Sequence, residues 1–306
     1  MRKIFLSLLV SLGLVLANAI DNCFTFLMAG DLKRALEEGK KAVKFYPKNP
    51  DAHLCLGAVY YASGLFDQAF ESLRRAEKFA SKAENLMYIY NQIGGILYRK
   101  KNYDDALKYY MKSLSLAKNI ENKKMQATIL NNIGLLYQEK GDLDNALFYY
   151  MKSLELTEKE EDKAITYNNI ASIYYSKGEY NKAKEFYKKA VVASELAGNL
   201  RSSGITLLNM GELYRKMKKY YLARKNLEEG IKRVKKVGDM YWTAVGYKYL
   251  GYLERELGRY ERALDYFKKA KKLFLQAGAS SDVKGIDFEI RLTELLKKTK
   301  VSENKK

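Results

Sequence analysis

The 306-residue sequence predicts an all-α fold: a solenoid of about seven stacked helix–turn–helix units, closed by a C-terminal capping helix. Three observations carry the prediction. One stretch returns in altered form, as NNIGLLYQEKGDLDNALFYYMKSLEL at 131–156, NNIASIYYSKGEYNKAKEFYKKAVVA at 168–193 and YLGYLERELGRYERALDYFKKAKKLF at 249–274. The whole chain holds only two prolines, so long segments are free to be helical. Valine and isoleucine do not gather into alternating runs, so no sheet is expected.

Each unit is justified column by column. Alanine marks the register at Ala35, Ala69, Ala106, Ala146, Ala183, Ala223 and Ala263, with intervals between 34 and 40 residues. Seven residues later comes another small residue: Ala42, Ala76, Ser113, Ser153, Ala190, Gly230 and Ala270. Three residues before each alanine stands a large apolar or aromatic one, from Leu32 and Phe66 to Tyr220 and Tyr260. Twelve before lies a further small residue: Cys23, Gly57, Gly94, Gly134, Ala171, Gly211 and Gly251. Small side chains let two helix backbones cross closely, and large ones fill the space beside the crossing. Gly30, Gly64, Gly141, Gly178 and Gly258 fall between two apolar-periodic runs, where a left-handed glycine ends a helix. Asp or Asn often follows within three residues, as in Gly141-Asp142-Leu143-Asp144, and can cap the next helix. Each unit therefore reads as two antiparallel helices joined by a tight turn.

These columns resemble the tetratricopeptide repeat over about residues 20–278. The resemblance implies a right-handed superhelix whose first helices line a concave groove. The first unit departs from the pattern, and it alone keeps the closing proline, Pro47. Units of 37–40 residues exceed the common length and are similar to those of Pins-type polarity adaptors and kinesin light chains. Both of those families bind extended peptides in the groove, so the resemblance implies peptide binding; the alternative is that longer helices only bury more core. Residues 279–298 carry Val283, Ile286, Ile290, Leu292, Leu295 and Leu296 among polar ones, as a single amphipathic capping helix. The basic end, 299–306, reads as a disordered tail.

The position two before the Gly134 column points into the groove of those families. Here it reads Cys55, Gln92, Asn132, Asn169, Asn209 and Tyr249. Amides donate and accept at once, so they can pair with the backbone of an extended peptide whatever its side chains. The resemblance carries that role to Gln92, Asn132, Asn169 and Asn209; the alternative is that these amides bond neighbouring helices. One turn on stand Tyr61, Tyr98, Gln138, Tyr175, Arg215 and Arg255. Of these, Tyr98, Tyr175, Arg215 and Arg255 join the four amides as candidate peptide-groove residues, since aromatics give contact area and arginine grips carboxylates. Arg99 and Lys248 add charge, while Glu139, Glu212 and Glu256 interrupt it. An extended peptide with acidic residues is the expected ligand. The fixed Lys/Asn/Lys/Arg set of the carboxylate-gripping tetratricopeptide subclass is not in register.

No catalytic or metal site and no cofactor is expected. His53 is the single histidine, and at a helix start it reads as a surface or cap residue. The Gly94-Gly95 pair matches no phosphate-loop spacing. Trp242 and the tyrosines suit inter-helix packing better than a cofactor box.

The N-terminus, MRKIFLSLLVSLGLVLANA, reads as a secretory signal: Arg2 and Lys3, an apolar run from Ile4 to Leu16, then Ala17-Asn18-Ala19. Cleavage would leave Ile20 first and lower the net charge from +19 to +17 by removing Arg2 and Lys3. The expected location is the periplasm or outside the cell, the alternative an anchor through residues 4–19. Cys23 and Cys55 would then meet an oxidising compartment; they read as small buried residues rather than a bridge, although a bridge is open to them. The resulting expectation is a non-enzymatic exported adaptor that binds a protein or peptide, working in envelope complex assembly. It predicts no nucleic-acid partner and no membrane association except through a partner or an uncleaved signal. The alternative is a basic surface for an anionic polymer, nucleic acid or lipid.

Overall fold

The computed structural model describes the backbone of residues 19–303 and the side chains of residues 19–300. The expected signal, apart from Ala19, lies outside the described residues. Every regular element among them is a helix. Helices α1 (19–28), α2 (Leu32–Phe45), α3 (Pro50–Ala62), α4 (Phe66–Phe79), α5 (Ala83–Arg99), α6 (Tyr103–Asn119), α7 (Lys123–Glu139) and α8 (Leu143–Leu156) form one compact unit. Helices α9 (Glu160–Ser176), α10 (Tyr180–Leu196), α11 (Leu200–Lys216), α12 (Tyr220–Lys236), α13 (Met240–Glu256), α14 (Tyr260–Gln276) and α15 (Ser280–Glu303) form a second.

Within each unit, odd-numbered helices pair with the even-numbered ones that follow. The first helices of successive pairs also touch one another, α3 with α5, α5 with α7, α9 with α11 and α11 with α13. That contact makes the first-helix side of each unit the compressed, inner side.

The turns have the predicted chemistry. Gly30, Gly64, Gly141, Gly178 and Gly258 all take positive φ, between 70° and 79°. A second set, Gly198, Gly238 and Gly278, does the same between pairs, a set not singled out from the sequence. Lys101, Glu121 and Lys218 hold the left-handed conformation without glycine's freedom, at φ of 61°, 54° and 57°. Caps follow: Asp142 Oδ1 accepts from the Asn145 backbone N–H at 3.1 Å, and Asp239 from that of Trp242 at 2.9 Å.

The close crossing is the densest part of the core. A Cβ added to Gly134 would stand 2.7 Å from the Tyr150 ring, and one added to Gly251 would stand 2.4 Å from Phe267. The opposing positions Leu73, Tyr110, Tyr150, Tyr187, Leu227 and Phe267 all fall four residues after the marker alanines. Ser113 and Ser153 put a hydroxyl into the crossing and donate to the carbonyls of Met87 and Ala127, at 2.6 and 2.7 Å. A buried polar atom there is tolerable because it is bonded.

Three expectations are corrected. Cys23 and Cys55 form a disulfide, with Cα atoms 6.3 Å apart. Both lie on first helices, α1 and α3, which pack side by side, so facing columns bring the sulfurs together. Closing a loop with a separation of 32 residues stabilises by about 3–4 kcal/mol in a chain-entropy treatment. His53 is not at the surface: only 3% of it is exposed, its Nε2 lies 2.8 Å from the Pro47 carbonyl, and its ring stacks on Phe79. Helix α15 continues to Glu303, past the expected start of a disordered tail; residues 304–306 lie outside the described range.

Gly134→Ala drives a methyl into a ring that has no free space. It should lower stability by about 1–3 kcal/mol despite alanine's better helix propensity, read as a lower urea midpoint with unchanged slope. Lys101→Gly and Lys218→Gly should each raise stability by about 1 kcal/mol, because they remove a left-handed non-glycine residue; a melting temperature that falls would contradict the turn geometry.

Candidate functional site

The inner side of each unit is built from positions that the close crossing leaves pointing away from the core. In the first unit, Gln92, Tyr98 and Asn132 come together around one cavity of ≈ 270 Å³. Tyr61 of α3 and Tyr110 of α6 complete its apolar walls, and Arg99 stands at its edge, exposed. Asn132 Nδ2 donates to Asn91 Oδ1 at 3.0 Å, tying α7 to α5. The amide of Gln92 makes no hydrogen bond to any described residue.

In the second unit Asn209 repeats the arrangement, donating from Nδ2 to Asn168 Oδ1 at 3.1 Å between α11 and α9. At least two of the four predicted amides, Asn132 and Asn209, therefore do bond neighbouring helices. Each such bond uses one N–H of the donor amide, and an asparagine side chain has further bonding capacity. The acceptors Asn91 and Asn168 lie outside the predicted column, yet the sequence carries a signal for them. They are the first members of the doublets Asn91-Gln92 and Asn168-Asn169.

The arginines differ from expectation. Arg215 is nearly buried and donates from Nε and Nη2 to Glu212 at 2.7 and 2.6 Å, while its Nη1 pairs with Glu256. Burial opposes its charge, but the Glu212 hydrogen bonds and the Glu256 charge outweigh burial and raise its pKa. Tyr175 donates to the same Glu212 carboxylate at 3.3 Å. Arg255 pairs with Glu289 of α15 and lies 5.4 Å over the Tyr252 ring. Neither arginine is free to grip an incoming carboxylate: Glu212 and Glu256, which interrupt the basic column, hold Arg215, and Glu289 of α15 holds Arg255. Glu289 places α15 in the position of another first helix, so the capping helix contributes to the wall. Lys248 lies over the rings of Tyr249 and Phe274.

Burial pushes the pKa of Tyr252 from 10.0 up to about 12, helped by the charge of Glu289. Burial likewise raises those of Tyr110, Tyr150, Tyr175, Tyr187 and Tyr249, and raises them further. All stay protonated near neutrality and present O–H donors. Among the described residues no group of three or more His, Cys, Asp or Glu could hold a metal ion, and no helix is long and apolar enough to cross a membrane.

Antiparallel helix pairs stacked through small residues, with a polar inner wall, define a binding repeat of the helix-hairpin class. Profiles of the tetratricopeptide repeat match residues 50–118, 85–159, 126–195 and 202–276, and a further profile of that repeat matches 26–64. The chain belongs to the tetratricopeptide repeat family. It is similar in fold to a tetratricopeptide repeat protein from Parabacteroides merdae, with a TM-score of 0.63 and 23% identity over 91% of this chain and 98% of that one. A Rap protein complexed with competence and sporulation factor gives a TM-score of 0.66 at 17% identity, over 94% of this chain and 87% of that one. At these identities the likeness is one of fold alone. BBSome complex member BBS4 of Bos taurus is 46% identical over 48 residues, 16% of this chain. The chain spans only 9% of the length of that curated relative.

Because the folded state holds the tyrosine protons more tightly than the unfolded chain, their contribution to stability is complete below pH 10 and is lost as pH rises through 12. Helical circular dichroism and tyrosinate absorbance followed together should show a late, cooperative alkaline transition. Full tyrosinate formation near the model-peptide pKa with helicity intact would contradict the burial.

Proposed function

We propose that the chain is an exported, non-enzymatic adaptor that binds an extended peptide segment of a protein partner along its inner walls and serves envelope complex assembly. The observation that carries the binding role is the convergence of Gln92, Asn132 and Tyr98 on one cavity in the first-helix wall. Amides and protonated tyrosines there suit main-chain recognition, because a peptide backbone offers both donors and acceptors. The Rap protein's complex with competence and sporulation factor is an example of a ligand-bound chain of similar fold. Export is supported by the basic, apolar and Ala17-Asn18-Ala19 segments of the N-terminus and by the Cys23–Cys55 bridge, since structural disulfides persist in oxidising compartments. The acidic character expected of the ligand no longer rests on Arg215 and Arg255, whose charges are answered within the chain.

The test uses a partner captured from an envelope fraction, with its affinity measured by calorimetry. A triple Asn132→Ala, Asn169→Ala, Asn209→Ala variant should bind at least about tenfold more weakly, as expected from losing hydrogen bonds worth about 1 kcal/mol each. Its melting curve must first show that it folds. Undiminished affinity in the folded variant rules out the amide wall as the binding surface. DNA binding that falls steeply with salt, with no protein partner retained, would favour an anionic-polymer surface instead. Intact-mass measurement of the exported chain should place its first residue at Ile20.

A further inference from the structure

The first unit's cavity exists because of a residue that the fold does not require to be small. The position after the small column reads Ala58, Gly95, Leu135, Ser172, Glu212 and Tyr252. A Cβ on Gly94 would meet the Tyr110 ring at 2.7 Å, so Gly94 serves the crossing. Gly95 does not: a Cβ there would find its nearest neighbour, the Tyr61 hydroxyl, at 3.5 Å and the Tyr110 hydroxyl at 3.7 Å. Two hydroxyls thus converge above a bare backbone, in the place that Leu135 occupies one repeat later.

Tyr110 is only 3% exposed, yet its hydroxyl has no hydrogen-bond partner among the described residues. Its counterpart Tyr150 donates to Gln138 at 2.9 Å. In the Tyr110 unit the position equivalent to Gln138 is Tyr98, which leaves the Tyr110 hydroxyl facing the cavity. That hydroxyl opens onto the cavity and is not sealed in the core, so it can donate to a polar occupant. Arg99, unlike Arg215 and Arg255, makes no ion pair with any described residue. Its charge reaches the cavity, where it acts on both Tyr98 and Tyr110. The volume of ≈ 270 Å³ suits one side chain rather than a cofactor-sized molecule.

We infer that the cavity over Gly95 receives the carboxylate of a single Asp or Glu side chain from an extended peptide, with Arg99 as counter-charge and the Tyr61 and Tyr110 hydroxyls as donors. The inference rests on the peptide-binding reading of the inner wall and adds to it an anchor that selects the partner's sequence. Burial keeps Tyr98 and Tyr110 protonated, so their hydroxyls donate rather than repel an anion. Glu139 also acts on Tyr98 but does not line the cavity. Arg99 does line it, together with Tyr61 and Tyr110, so the positive charge and the two hydroxyls border the same space.

The experiment pans purified protein against random peptides displayed with blocked ends, and in parallel against peptides with free C-termini. The expected result is a fixed internal Asp or Glu among the peptides selected. Changing that residue to its amide should weaken binding about ten- to a hundredfold, the range for a hydrogen-bonded charge. Arg99→Gln, at an exposed position, should bind the acidic and amide peptides alike. Gly95→Leu, which copies Leu135, should lose the acidic preference while keeping its melting temperature. Selected peptides that depend on Gln92 and Asn132 but show no acidic position overturn the anchor and leave the groove reading standing. An acidic preference that survives both variants, or one satisfied only by a free C-terminus, does the same. Peptides indifferent to Gln92→Ala and Asn132→Ala, or no selected peptide at all, overturn the groove reading and the anchor with it.

Discussion

The close crossing of the two helices in each pair is the constraint on which the rest of the molecule depends. It forbids a side chain at Gly57, Gly94, Gly134, Gly211 and Gly251, because a Leu, Tyr or Phe from the second helix already fills that space. The same contact reaches the binding surface. Tyr110 and Tyr150 pack their rings under a glycine while their hydroxyls emerge beyond it, one into the cavity and one onto Gln138. Core packing and wall chemistry are two ends of one side chain, so a change that relaxes the crossing also moves a polar group on the inner surface.

The inner walls are more self-satisfied than a bare tally of polar residues suggests. Glu212 is shared by Tyr175 and Arg215, and Glu289 by Tyr252 and Arg255. Such half-buried pairs contribute little net stability against a hydrophobic alternative, but removing one partner strands the other charge. Their structural effect is to lock successive first helices in register, as the Asn91–Asn132 and Asn168–Asn209 bonds also do. What remains available for a ligand in the first unit is Gln92, Arg99 and the hydroxyls around Gly95, beside the unused bonding capacity of amides such as Asn132 and Asn209. The large formal charge follows the same logic. Many surface lysines pair with acids on their own helix, Lys41 with Glu38, Lys108 with Asp105 and Lys269 with Asp265 among them. Exposed pairs of this kind contribute little, but they dilute the basic field.

The first and last described helices are each secured to the array in their own way. At the start, α1 is tied to α3 by the Cys23–Cys55 bridge and packs through Phe24, Phe26 and Leu27. At the other end, α15 takes the place of one more first helix. Ile286 and Thr293 are buried in its contact, and Phe288 and Leu295 remain more than half exposed. A covalent bond thus adds to the packing of α1, and an ion pair with Arg255 adds to that of α15.

The sequence by itself determined the helix pairs, their turns and the family, because those depend on local rules repeated many times. Gly141 must be left-handed wherever the chain packs, and Ala146 must be small wherever two helices cross. The inner-wall columns were legible for the same reason: register fixes which face a residue shares. Tertiary structure alone decided which of those residues are occupied. Arg215 and Arg255 share one column and Arg99 stands one residue beyond it, and only the neighbouring helices show that Glu256 and Glu289 answer the first two. The bridge between Cys23 and Cys55 was equally hidden, since a pairing across 32 residues depends on the side-by-side packing of α1 and α3. So was the role of Gly95, an unremarkable glycine until two tyrosines from other helices close over it. Periodicity specifies direction, whereas partnership depends on distances between segments that the chain brings together only on folding.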